Sequence, residues 1–292
     1  MSNVPTRPNP AHLLETMQLI RSFEERSAAS FAEGRSPGTC TCVGQEASAV
    51  GVVAALRPAD LILTNHRSAG HLLARGADPG RLMAEVMGRA TGYCGGKSGT
   101  LHVSAKELGV ILTSTIVGGE LSLAPGVALS VSMKGGDEIV TCFFGDGAAC
   151  EGVFHEALNL AAVWKLPVLF VCENNEWQAF VHRRETMLTD DIASRASAYG
   201  IEGRTVDGND VEAVLAAATE AAAKVRATRM PFLLETKTYR LRGHFEPDDQ
   251  GYVDKAELAA WLARDPIAAC RDRLLAAGSL NPAQGASLAD KV

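Results

Sequence analysis

The run EIVTCFFGDGAACEGVFHEALNLAAVWKLPVLFVCENN, residues 138–175, decides the fold. EIVTCFF is a largely apolar run of strand length, and GDGAACEG, residues 145–152, is a turn. VFHEALNLAAVW places Phe154, Ala157, Leu158 and Ala161 on one helical stripe, and LPVLFVCENN is a second buried strand. Strand, crossover helix and strand make a βαβ unit. The alternation continues outward. Downstream, residues 187–199 and 210–228 have helical spacing on either side of GIEGRTVDGND; PFLLETKTY, residues 231–239, is a further strand, followed by the loop RLRGHFEPDDQGY. Upstream, Leu13, Leu14, Met17, Ile20 and Phe23 mark a helix over 11–33, and Gly34 to Gly38 break it. GQEASAVGVVAAL is a helix of small residues, LILTNH a short strand, and 79–89 and 118–133 are helical. Residues 91–110 form a glycine-rich ordered loop carrying Lys97 and His102. The pattern predicts an α/β fold, a doubly wound parallel sheet with helices on both faces.

Composition bounds the function. The 292 residues are 47% hydrophobic and 21% charged, an ordinary globular mix for one large domain or two small ones. The net charge is -6 and no Lys/Arg-rich run occurs, which argues against nucleic acid or an anionic membrane as partner. No stretch reaches the ~18 apolar residues of a membrane span. Seven cysteines at irregular spacing, with no Cys-x-x-Cys pair, read as reduced thiols of a cytoplasmic enzyme. Residues 1–11 read as a disordered arm, 12–270 as the domain and 271–292 as a helical tail.

Asp146 ends one predicted strand and Asn175 ends the next, 29 residues later. If those strands are neighbours, their ends lie about 5 Å apart. A carboxylate and a carboxamide oxygen then face the crevice beyond the carboxyl ends of the strands, where open α/β sheets bind ligands. Gly145 and Gly147 let backbone approach a phosphate, and the helix behind them offers N–H donors and a positive dipole end. Few protein oxygens together with phosphate oxygens is the usual way of holding Mg²⁺. The dinucleotide fingerprint fails, because Cys150 stands where its third glycine belongs. The P-loop fails as well, because Thr91 stands at its first glycine.

The order of MQLIRSFEER, VGQEASAVGV, NHRSAGH, GGKSGTLH, TSTIVGG, the central block, TKTYRLRGH and RDPI resembles the alpha subunits of thiamine-diphosphate-dependent 2-oxo acid dehydrogenase first components, the pyruvate and acetoin dehydrogenase group. The likeness covers residues 12–270. It implies the thiamine-diphosphate-binding fold, with Mg²⁺ held by Asp146, Asn175 and the Trp177 carbonyl. It assigns the diphosphate to Arg67, Gly145, Gly147 and Ala148. His66 stands in the place of a tyrosine, Ile116 and Val117 pack beside the cofactor, and His244 reaches the phosphates and the reaction centre. His71 reads either as a functional residue or as one that merely caps or packs, and His155 and Glu156 as helix-packing residues. Pyruvate-type relatives place histidines where this chain has Cys40 and Ala69, so a reacting pocket rebuilt with smaller groups is expected. Glu120, Ser122 and Cys150 also depart from the family pattern.

The resemblance implies cleavage of a C–C bond beside a carbonyl of a small-molecule substrate, a 2-oxo acid or an acetoin-like compound. The acyl unit passes to a lipoyl acyltransferase or another acceptor. It also implies a beta-type subunit that carries the pyrimidine-binding domain in an α2β2 assembly. Two alternatives remain at this point: one subunit of a split transketolase-like carboligase, and a non-catalytic homologue.

Overall fold

The computed structural model describes residues 9–99 and 101–281. Most of the expected arm and the end of the expected tail, residues 1–8 and 282–292, lie outside them. The strands, in chain order, are β1 (Leu61–Asn65), β2 (Val110–Ser114), β3 (Val140–Gly145), β4 (Val168–Asn174), β5 (Trp177–Gln178), β6 (Val181–His182), β7 (Glu202–Asp207) and β8 (Phe232–Lys237). The α-helices are α1 (Pro10–Ala32), α2 (Glu46–Ala54), α3 (Ala69–Ala74), α4 (Pro79–Val86), α5 (Gly119–Met133), α6 (Gly152–Val163), α7 (Val211–Thr228), α8 (Lys255–Leu262) and α9 (Pro266–Ala276).

Six strands form one sheet in the order β2-β1-β3-β4-β8-β7, with every pairing parallel. Both faces are covered, and the central strands show why. On β4, Leu169 and Val171 enter one core while Val168, Phe170 and Cys172 enter the other; on β8, Phe232 and Leu234 oppose Leu233. The first core is closed by α1, α2, α3, α4, α7 and α9, the second by α5, α6 and a 3-10 helix at Ile192–Tyr199. Helix starts follow local chemistry. Asn9 accepts from Ala11 N at 3.0 Å with Pro10 at the first helical position, and Asp210, Asp254 and Asp265 cap α7, α8 and α9 in the same way.

The doubly wound sheet matches the expected fold class, and β3, α6 and β4 fall where the central run puts them. Three elements differ. β2 and β7, at the two edges, lie in stretches to which the sequence reading assigned no strand. The 187–199 segment is a 3-10 helix over its second half only. The residue-11 limit of the arm falls inside α1, and the boundary at 270 falls inside α9, whose Cys270 and Leu274 pack into the first core. Among the described residues no helix is long and apolar enough to cross a membrane.

From β1 the chain runs out to β2, then returns past β1 to β3. The connections therefore leave in opposite directions on either side of the β1–β3 boundary, which opens a crevice at the carboxyl ends of those strands.

Candidate active site

β3 and β4 are hydrogen-bonded neighbours with Gly145 opposite Glu173, so the residues that follow each strand emerge side by side. Asp146 is buried, and its Oδ1 accepts from Asn175 N at 3.3 Å. Its Oδ2 is buried with no hydrogen-bond partner. Burial, with Glu176 nearby, pushes the Asp146 carboxyl up to about 6. Asn175 donates through Nδ2 to Gln45 Oε1 at 2.8 Å, while its Oδ1 accepts from Trp177 N at 3.1 Å. Between them Glu176 sits at φ 68°, in the left-handed region that a glutamate rarely adopts. Glu176 N donates to Asn174 Oδ1 at 3.3 Å, and Arg183 Nε donates to Glu176 Oε2 at 2.9 Å. The turn is held in this strained form, and it brings Asn175 and Trp177 to the same crevice.

The second half of the site follows β1. Arg67 N donates to Asn65 Oδ1 at 2.8 Å. The Arg67 guanidinium is 4% exposed and donates to Thr41 O at 2.7 Å and His244 O at 2.9 Å, with His244 Nδ1 at 3.1 Å. It forms no ion pair with a carboxylate among the described residues. Arg240, also buried, likewise meets neutral groups, Ala179 O at 2.8 Å and Tyr252 OH at 2.5 Å. Burial pushes the Arg67 guanidinium down from its ordinary value, and burial with Arg67 alongside brings Arg240 to about 10. Burial and the same arginines hold His66 at about 3 and His244 at about 4, so both rings are neutral near pH 7. Their centroids are 5.9 Å apart, edge to face.

Most of these groups border one cleft of about 300 Å³, with Arg240 just outside its lining. His66, Arg67, Ile116, Val117, Gly145, Asp146, Gly147, Ala148, Asn175, Trp177 and His244, the residues named from the sequence, all border it. So do Gln45, Asn65, Ser114, Glu120, Glu151 and Glu173, which the sequence reading did not place there. Gln45 immediately precedes α2 in the quoted block VGQEASAVGV, and its position beside a glycine was the one available signal. A Cβ at Gly145 would meet no atom within 4 Å, so the backbone there opens directly onto the cleft.

Other candidates lie elsewhere. Cys40 and Ala69 are not among the residues bordering the cleft: Ala69 is buried in the first core, and Cys40 is partly buried, close enough to Arg67 and Arg240 to interact with them electrostatically. Lys97 and His102 are exposed, His102 with Nε2 at 3.2 Å from Thr115 Oγ1. His71 stacks on Phe143 with centroids 3.9 Å apart and meets Thr64 Oγ1 and Glu173 Oε1, a packing role beneath the cleft. His155 faces outward against Tyr199.

Among the described residues no cluster of three or more His, Cys, Asp or Glu side chains could hold a metal by itself. The chemistry is that of a shared site. An orphaned carboxylate oxygen, an amide oxygen and nearby backbone suit a hard cation that takes its remaining ligands from a bound phosphate. The buried Arg67, which meets carbonyl oxygens and no carboxylate, offers that phosphate a planar cationic fork.

Residues 15–292 match the family described as Dehydrogenase E1 component. The chain belongs to that family. Similar E1-family relatives include two acetoin:2,6-dichlorophenolindophenol oxidoreductase alpha subunits. The Bacillus subtilis protein is 44% identical over 265 residues, 90% of this chain and 80% of the relative. The Cupriavidus necator protein is 42% identical over 243 residues, 83% and 73% of the two chains. A pyruvate dehydrogenase E1 component alpha subunit of Rhizobium meliloti is 39% identical over 260 residues, 88% and 75%.

Proposed function

We propose that this chain is the alpha-type, diphosphate-binding subunit of a thiamine-diphosphate- and Mg²⁺-dependent dehydrogenase acting beside the carbonyl of a 2-oxo acid or an acetoin-like compound. One observation carries the reading: a buried carboxylate oxygen without a partner, on Asp146, faces the same cleft as a buried guanidinium without a carboxylate, on Arg67. Two opposite uncompensated groups are costly to bury unless a ligand supplies both counter-charges. A magnesium diphosphate does so, the cation at Asp146, Asn175 and the Trp177 carbonyl, the anion at Arg67 and the Gly145–Ala148 turn.

Thiamine diphosphate, when bound, supplies a carbon nucleophile and an electron sink for cleavage beside the carbonyl. The chain's own residues do the rest. Gly145 and Gly147 admit the phosphates to the backbone. Ile116 and Val117, 67% and 54% exposed, present an apolar shelf for the ring portion of the cofactor. His66 and His244, neutral under burial, orient polar groups at the reacting end without adding charge.

The shelf is open on one side. Beyond Ile116 and Val117, Leu123 on α5 is exposed, and Met133, Val163 and Trp164 are exposed at the far ends of α5 and α6. An exposed apolar shelf bordering a half-built site calls for a partner, here a beta-type subunit in an α2β2 assembly, with a lipoyl acyltransferase or a dye as acceptor. The test is calorimetry of the αβ complex. Thiamine diphosphate is expected to bind with Mg²⁺ and to lose affinity at least tenfold in EDTA; equal binding in the two conditions rules the reading out.

A further inference from the structure

Glu120 stands at the second position of α5, just beyond the Ile116–Val117 shelf. It is 1% exposed, borders the cleft, and its Oε2 is buried with no partner. Nothing in the site assigned above uses it: it is neither at the Asp146 end nor beside Arg67 in the bonding network. A carboxyl enclosed in this way is costly unless a partner meets it, and the cleft it borders is where one can enter.

The charges around the cleft say what that something is. Asp146 and the capping residue Glu151 contribute from the ends of β3 and α6, Glu173 from β4, and Glu120 from α5. Against these four carboxyl side chains, Arg67 is the single permanent cation bordering the cleft among the described residues, with Arg240 outside the lining but close enough to act on His66, His244 and Asp146. His66 and His244 are neutral there. On β3, burial and then Glu120 push the Cys142 thiol well up, so it brings no compensating charge. A Mg²⁺ ion and a diphosphate of charge near -3 leave the balance negative.

We propose that Glu120 is a specificity-determining residue that disposes the cleft toward an uncharged hydroxyketone over an anionic 2-oxo acid. This rests on the thiamine diphosphate reading above and narrows its substrate class. Ionised, Glu120 repels a substrate carboxylate across a cleft of low polarity. Protonated, it donates to a hydroxyl or carbonyl oxygen. Burial pushes its carboxyl up to about 7, against the opposing pull of its own backbone N–H, so the preference strengthens as pH rises through neutrality.

The experiment uses the αβ complex loaded with thiamine diphosphate and Mg²⁺. Two non-reacting probes of one shape, neutral lactamide and anionic lactate, are titrated by ligand-observed NMR at pH 6 and pH 8. Lactamide is expected to bind about tenfold tighter than lactate at pH 8, ~1.4 kcal/mol, and the ratio is expected to shrink at pH 6. In Glu120→Gln, an isosteric amide, the ratio is expected to fall to about twofold and lose its pH dependence, while Glu120→Asp keeps the wild-type sign. The ratio of kcat/KM for acetoin to that for pyruvate is expected to follow the same order. Tighter binding of lactate by the wild type, or a Glu120→Gln complex that keeps both the ratio and its pH dependence, overturns the proposal alone. Calorimetry showing that the wild-type complex binds no cofactor overturns the underlying reading and this proposal with it.

Discussion

At Asp146, burial and function pull against each other. The carboxyl is enclosed, one oxygen has no donor, and its value rises from 3.8 to about 6. Because the folded value lies above the unfolded one, the native state holds an extra proton between these pH values. The stability this contributes is present below about pH 4 and is lost as pH rises through 6. Asp146→Asn removes the ionised group while keeping its shape. The metal-free chain should therefore gain up to about 3 kcal/mol at pH 8, seen as a higher unfolding midpoint, while Mg²⁺-dependent cofactor binding disappears in calorimetry. A variant that is no more stable and still binds would remove Asp146 from the site. Arg67 makes the complementary case. Its fork spans Thr41 O and His244 O and still faces the cleft. Lysine has one point charge in place of that planar fork, so Arg67→Lys should raise the cofactor dissociation constant about tenfold or more, on the order of 1.4 kcal/mol; wild-type affinity would contradict it. Asp146 was read from its spacing to Asn175, whereas Arg67 was assigned only by the family resemblance. Gln45, Glu120 and Glu173 were not legible as site residues. They sit within apolar or small-residue elements, and periodicity shows only that such positions are buried, never that a polar group is aimed into a cavity.

Elements divide in the same way. The central strands are covered on both faces, so β3 and β4 read as continuous apolar runs. β7, an edge strand with mostly exposed side chains in EGRTVD, offers neither alternation nor an apolar run. Its backbone is committed by pairing to β8 and by Gly203, where a Cβ would stand 2.3 Å from Ala193 O, and neither constraint is visible in composition. The loop at 91–110 was legible as ordered, but its organiser was not. Glu85, a buried residue of α4, accepts from Cys94 N at 2.7 Å and Gly96 N at 2.9 Å through one oxygen and from Ser98 N at 2.7 Å through the other. Although burial works to raise it, these backbone donors hold its carboxyl below the ordinary range. Glu85→Gln replaces one accepting oxygen with a donor facing N–H groups. It should cost roughly 1–3 kcal/mol and speed amide exchange across residues 92–99 while leaving the sheet protected. Unchanged exchange in that loop would show that glycine geometry alone sets it.

For the molecule as a whole, the exposed shelf at Ile116 and Val117 and the apolar residues of α5 and α6 have opposite consequences alone and in company. Purified by itself, the chain should self-associate and release no product from acetoin or any 2-oxo acid; with a beta-type partner it should form a discrete heterotetramer and turn over. Light scattering and a product assay decide it, and turnover by the single chain at about 1 s⁻¹ or more would refute the two-chain reading. The cleft has a further consequence in the order of synthesis. Gln45 and Arg67 come from the first part of the chain, Asp146 and Asn175 from the middle, and His244 from the loop after β8. A nascent chain on the ribosome thus carries its arginine long before the carbonyl of residue 244 that receives it. A copy that stalls or is clipped before that loop lacks the His244 carbonyl and ring that Arg67 meets, so its cleft is left without one wall.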